Sequence, residues 1–133
     1  MVLLPLLAAA LAPPFACTVT RVHDGDGPPW CSNGIKVRIA GVQAPDFESA
    51  EPCRIHRAGY TCSNASAERS RVIVERLTLN RTMRCQPMGK SYARVVARCT
   101  LADGRSLSCA VLAAGAAVRW DSYWQRYRMG ECI

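Results

Sequence analysis

The sequence predicts a mainly β fold with α: a small closed barrel of five short strands with about three helices. Three observations lead there. Val37, Ile39 and Gly41 fall on one parity while Lys36, Arg38 and Ala40 fall on the other, and Tyr92–Leu101 alternates in the same manner, as half-buried strands do. Asn33-Gly34 and Asp103-Gly104 are hairpin-type turn signals, because both turn residues accept positive φ. No strand–helix–strand unit repeats, which speaks against a layered α/β domain.

Taken in order, Cys17–His23 is Thr/Val-rich and reads as the first strand. Gly25, Gly27, Pro28 and Pro29 punctuate the chain before a short strand at Trp30–Ser32. Asn33-Gly34 then leads into Ile35–Val42, so that residues 17–42 read as three antiparallel strands. Pro45–Cys62 is an irregular excursion, rich in Pro, Gly and polar residues. Ser63 or Asn64 can cap a helix over Ala65–Leu79, with Ala65, Val72, Ile73, Leu77 and Leu79 as its apolar positions. Thr82–Met88 and Tyr92–Leu101 supply the last two strands. Ser106–Ala114 is a short helix with Gly115 just past its end. In the final stretch, Arg119–Met129, residues Trp120, Tyr123, Trp124 and Tyr127 lie near helical spacing, suited to closing the core or to stacking on bases.

Met1–Ala16 is uncharged and mostly apolar, too short for a comfortable membrane span and similar to the core of an export signal. The expectation is a secreted or periplasmic protein whose domain occupies residues 17–133, a monomer with no membrane span. All eight cysteines lie in that domain, and an even number of dispersed cysteines reads as a disulfide framework. Sequence proximity suggests Cys17–Cys31, Cys53–Cys62, Cys85–Cys99 and Cys109–Cys132. There is no CxxC pair and the two histidines, His23 and His56, stand far apart, so a closed zinc site is not expected. Lys and Arg outnumber Asp and Glu by 17 to 10, which favours anionic partners, and arginine offers a planar donor fork suited to phosphate. In the segment His23–Gly27, HDGDG, Asp24 and Asp26 flank Gly25, and the acids can gather around a cation or simply bond the backbone of a turn.

The order of HDGD, VRIAGVQAPD, a helix, SYARVVARC, ADGR and LAAG resembles the staphylococcal nuclease-like (thermonuclease) family, over Cys17 to Tyr127. The resemblance implies a five-stranded OB-fold barrel with three helices. It implies Ca2+ held by Asp26, by the position of Gln43 and by the carbonyl of Ala44, and phosphate held by Arg38 and Arg94. Asp46 falls on the residue that orients or deprotonates the attacking water. The implied activity is that of a calcium-dependent nuclease, a phosphodiester hydrolase acting on DNA or RNA, preferably single-stranded. A cation and two arginine forks would stabilise the charge gathered on the phosphoryl oxygens. Three departures bear on this chemistry. Gln43 stands where an acidic metal ligand is usual, Asp46 is a methylene shorter than the usual glutamate, and Gly27 replaces a threonine. A reacting group displaced by ~1 Å can cost about 100-fold in rate. The expectation is therefore weak cleavage, with a nucleic-acid-binding or structural module that has lost the chemistry as the alternative.

Overall fold

The computed structural model describes residues 12–26 and 29–132. Most of the export-like segment, residues 1–11, and Gly27 and Pro28 lie outside the described residues. Strand β1 spans Phe15–Val22, so the last two residues of the export-like segment begin a strand, opposite Arg84 and Cys85. Among the described residues, β1 is followed by β2 (Pro29–Cys31), β3 (Val37–Ile39), β4 (Val42–Gln43), α1 (Glu51–Arg54) and α2 (Asn64–Thr78). β5 (Thr82–Ser91), β6 (Arg94–Thr100), α3 (Leu107–Ala113), β7 (Val118–Arg119) and α4 (Asp121–Arg126) complete the chain.

Five strands form one sheet in the order β2-β1-β5-β6-β3, and β4 pairs with β7 in a separate two-stranded ribbon. The expected closed OB-fold barrel is corrected here to a mixed α/β fold with an open sheet. The ladder ends at β2 on one side and β3 on the other, and among the described residues the two edges meet in an isolated bridge, Trp30 to Lys36, rather than in a ladder. Each edge strand is three residues long, which leaves too little backbone for a continuous ladder between them. Of the three antiparallel strands expected over residues 17–42, β1 and β2 pair antiparallel, and past the Asn33-Gly34 turn Lys36 meets Trp30 in an antiparallel bridge. The ladder of β3 is formed with β6, to which it runs parallel, with Val37 opposite Val95.

The helices follow their local chemistry. Ser63 caps α2, its side chain accepting from the Ser66 amide, and Ser106 caps α3 in the same way through Cys109. The face of α2 that is fully buried carries Ala67, Ser70, Val74 and Thr78, with Ile73 and Leu77 partly buried beside it. Thr78 tolerates burial because its hydroxyl donates to the Val74 carbonyl at 2.8 Å. The core beneath the sheet gathers Val19, Val37, Ile39, Val74, Ala97, Leu107 and Val111.

Four disulfides join Cys17 to Cys31, Cys53 to Cys62, Cys85 to Cys99 and Cys109 to Cys132. Bonds of this number in so small a fold fit an oxidising compartment. Among the described residues no helix is long and apolar enough to cross a membrane.

Candidate functional site

Strand ends and turns deliver polar side chains to one cleft of ≈ 470 Å³. Asp26 comes from the turn after β1, where its own N–H donates to the Asp24 carboxylate at 3.1 Å. Gly25 is required in that turn, since a Cβ there would lie 2.5 Å from Ser70 Cβ and 2.8 Å from Ala44 Cβ. Arg38 is the middle residue of β3, Gln43 ends β4, and Arg94 opens β6. Asp46 is fixed by its backbone, its N–H donating to the Thr61 carbonyl and its carbonyl accepting from Ser63. Asp26, Arg38, Gln43, Asp46 and Arg94 all line the cleft. Ala44 is buried behind it and donates its N–H to Asp26 Oδ2 at 2.8 Å.

The two arginines differ in what they leave free. Arg38 is turned inward: Nη1 donates to the carbonyls of Asp26 at 3.2 Å and Ile39 at 2.9 Å, while Nη2 lies 3.6 Å from Asp26 Oδ2. Most of its fork is thus engaged with the protein. Arg94 donates only to Ser91 Oγ, at 3.2 Å, in the contacts the described residues make with its guanidinium. Gln43 is also partly engaged, its amide nitrogen donating to the Gly59 carbonyl at 3.1 Å.

Asp26 sits close enough to perturb Asp46. Burial pushes the Asp46 carboxyl up to about 6, the Asp26 charge adds to the rise, and Arg38 and Arg94 oppose it. Its Oδ2 is buried with no hydrogen-bond partner. His23, also on the cleft wall, has its pKa lowered by burial and then by the charges of Arg21, Arg94 and Lys36.

Part of the cleft lining is aromatic. Trp120 meets Tyr60 edge-on at 6.1 Å and Tyr123 at 4.8 Å, and Tyr123 stacks with Tyr127 at 5.9 Å. Of the four C-terminal aromatics, Trp124 joins the core, whereas Trp120, Tyr123 and Tyr127 face the cleft. Gly41 makes room for this arrangement. It adopts φ +77°, and a Cβ there would sit 3.0 Å from the Trp124 ring. Tyr60, Arg57 and Lys90 also line the cleft and were not singled out from the sequence, and Tyr92, which opens the alternating stretch of SYARVVARC, lines it too. Tyr60 and Arg57 belong to the irregular excursion, and Lys90 to a hairpin tip, where neither periodicity nor a motif marks them.

The expectation of a calcium-dependent nuclease, and with it a phosphodiester hydrolase cleaving DNA and RNA, is overturned by two findings. The barrel that would carry that chemistry is not formed. Among the described residues, no group of three or more His, Cys, Asp or Glu side chains gathers to hold a metal ion. Physically, Gln43 brings no charge where an acidic ligand is needed, and its amide nitrogen is engaged with the Gly59 carbonyl. In comparisons with known proteins, no family model and no curated protein matches this chain.

Proposed function

We propose that the protein is a binding module for single-stranded nucleic acid, holding phosphate at Arg94 and stacking bases on the aromatic wall. One observation carries this reading. A guanidinium with most of its donors unengaged shares a ≈ 470 Å³ cleft with the rings of Tyr60, Trp120, Tyr123 and Tyr127. Phosphate needs charged N–H donors, and any base offers a π-face to a ring, so the pairing suits a ligand that carries both. Lys90 and Arg57 add positive charge at the cleft rim. Arg38 contributes chiefly by fixing the Asp26 turn beneath the site.

Calcium belongs to this proposal as an accessory ligand. The unpaired Asp46 oxygen and the Asp26 carboxylate are the donors that would hold it, with oxygen ligands from Gln43 and water. Its charge would offset theirs beside a bound phosphate. The site's setting, in this reading, is outside the cell or in the periplasm, on a monomer.

Fluorescence anisotropy with labelled oligothymidylate tests the reading, with and without calcium. Wild-type protein binds, and Arg94→Ala weakens binding at least about tenfold, as loss of a charged hydrogen bond does. Tyr123→Ala costs ~1–3 kcal/mol, the scale of one base stacked on one ring. Unchanged affinity in both variants would sink the proposal.

A further inference from the structure

We propose that the cleft is one end of a longer anion track, continued over the β1–β2 edge by Arg21 and Lys36. The ligand is then a polymer with phosphates in series rather than a single nucleotide. This rests on the reading of the cleft given above and names the ligand class more narrowly.

Arg21 on β1 stands opposite Trp30 on β2, and Lys36 bridges to the same Trp30 across the Asn33-Gly34 turn. Lys36 Nζ lies 4.3 Å from the Trp30 ring centroid and Arg21 Cζ lies 5.1 Å from it. A ring steers and holds a cation without cancelling its charge, unlike a carboxylate. Among the described residues no carboxylate forms an ion pair with Arg21, Lys36 or Arg94. Two cations are therefore held on a tryptophan with their charge intact. β2 is an edge strand of the sheet, so a partner can approach here.

His23 connects this patch with the cleft. It follows Arg21 by two residues, lines the cleft wall, and lies within the field of Arg21, Lys36 and Arg94 together. His23, on the cleft wall with Arg94, thus stands between the cleft and the two cations held on Trp30. Such a row has no use for a mononucleotide, whose phosphate Arg94 already meets. It suits the next phosphates of a strand that has its bases in the cleft.

The test compares thymidine 5′-monophosphate with an oligothymidylate of about eight nucleotides, a length such grooves span. Calorimetry follows the first and anisotropy the second, over a range of salt. The octamer binds roughly tenfold or more tighter, and its salt slope is steeper by ~1.4, the value for two added phosphate contacts on a single strand. The double variant Arg21→Ala, Lys36→Ala removes both gains and leaves the mononucleotide affinity unchanged. Arg21→Gln with Lys36→Gln, which keeps the stems over Trp30, gives the same result and controls for lost packing. Equal affinity for the two ligands, or a double variant that weakens both alike, overturns the track. Octamer binding that depends on Arg21 and Lys36 without any mononucleotide binding keeps the track and defeats the cleft reading. Binding of neither ligand overturns both.

Discussion

Asp46 concentrates the tension of the site in one side chain. Its Oδ2 is buried without a partner, and its pKa is raised from 3.8 to about 6 by burial and by the Asp26 charge. Between those two values the folded protein holds a proton that the unfolded chain has released. Stability from this group therefore falls as pH climbs from about 4 to about 6 and stays low above that. Asp46→Asn is expected to raise stability at pH 7 by ~1–2 kcal/mol, after discounting for the solvent that reaches the group, with little effect at pH 4. Urea unfolding at the two pH values checks this, and an equal effect at both would remove titration as the cause. The same protonation takes a negative charge from beside Arg94, so oligonucleotide affinity should tighten as pH drops through 6. At this scale much of the cleft was legible in the sequence. Asp26, Gln43, Asp46 and Arg94 stand at strand ends or in the turns after them, and Arg38 in the short β3 between, and all five line one cleft. How much of Arg38 the backbone carbonyls of Asp26 and Ile39 would occupy was not legible, because those bonds depend on the fold.

Elements show the same division. The capped helix at Asn64–Thr78 could be read from Ser63 and its periodicity, yet the stripe it buries could not. Ser70 and Thr78 are polar, and they are buried because Gly25 approaches one and a helical carbonyl satisfies the other. The parallel pairing of β3 with β6 was equally hidden, since hairpin signals report the local turn and not the strand's distant neighbour. The excursion between β4 and α2 offers the clearest test. Cys53–Cys62 closes it, and its residues Tyr60 and Arg57 line the cleft while Thr61 and Ser63 hold the Asp46 backbone. Cys53→Ser with Cys62→Ser is expected to cost about 2–3 kcal/mol, the loop-closure value for a ring of this size. Oligonucleotide binding should weaken as well, because Tyr60 loses its anchorage beside Trp120. Denaturant midpoints and anisotropy on the same sample read both effects. A drop in stability with binding untouched would show the excursion to be a mere staple.

Over the whole molecule, a core of mostly small side chains is reinforced by covalent links. Among the described residues Val, Ala and Cys dominate the buried set, and Trp124 is the one aromatic in it. Removing one native disulfide from a small domain typically costs about 2–5 kcal/mol, against a net stability of ~5–15 kcal/mol. Full reduction of all four is thus expected to unfold the chain at 37 °C, seen as loss of near-ultraviolet circular dichroism. A reduced chain that keeps that signal and still binds oligothymidylate would show the links to be dispensable. The formal charge of +7 acts at this scale too, drawing anionic polymers toward the molecule from any direction while leaving orientation to the cleft.

The four cysteine pairs are sequential: each closes before the next begins, and none encloses or crosses another. A polypeptide that meets an oxidant as it emerges, N-terminus first, can therefore seal every ring from the only two free thiols then in reach. Biogenesis on such a plan calls for a donor of oxidising equivalents but has little need of an isomerase to sort mispaired chains.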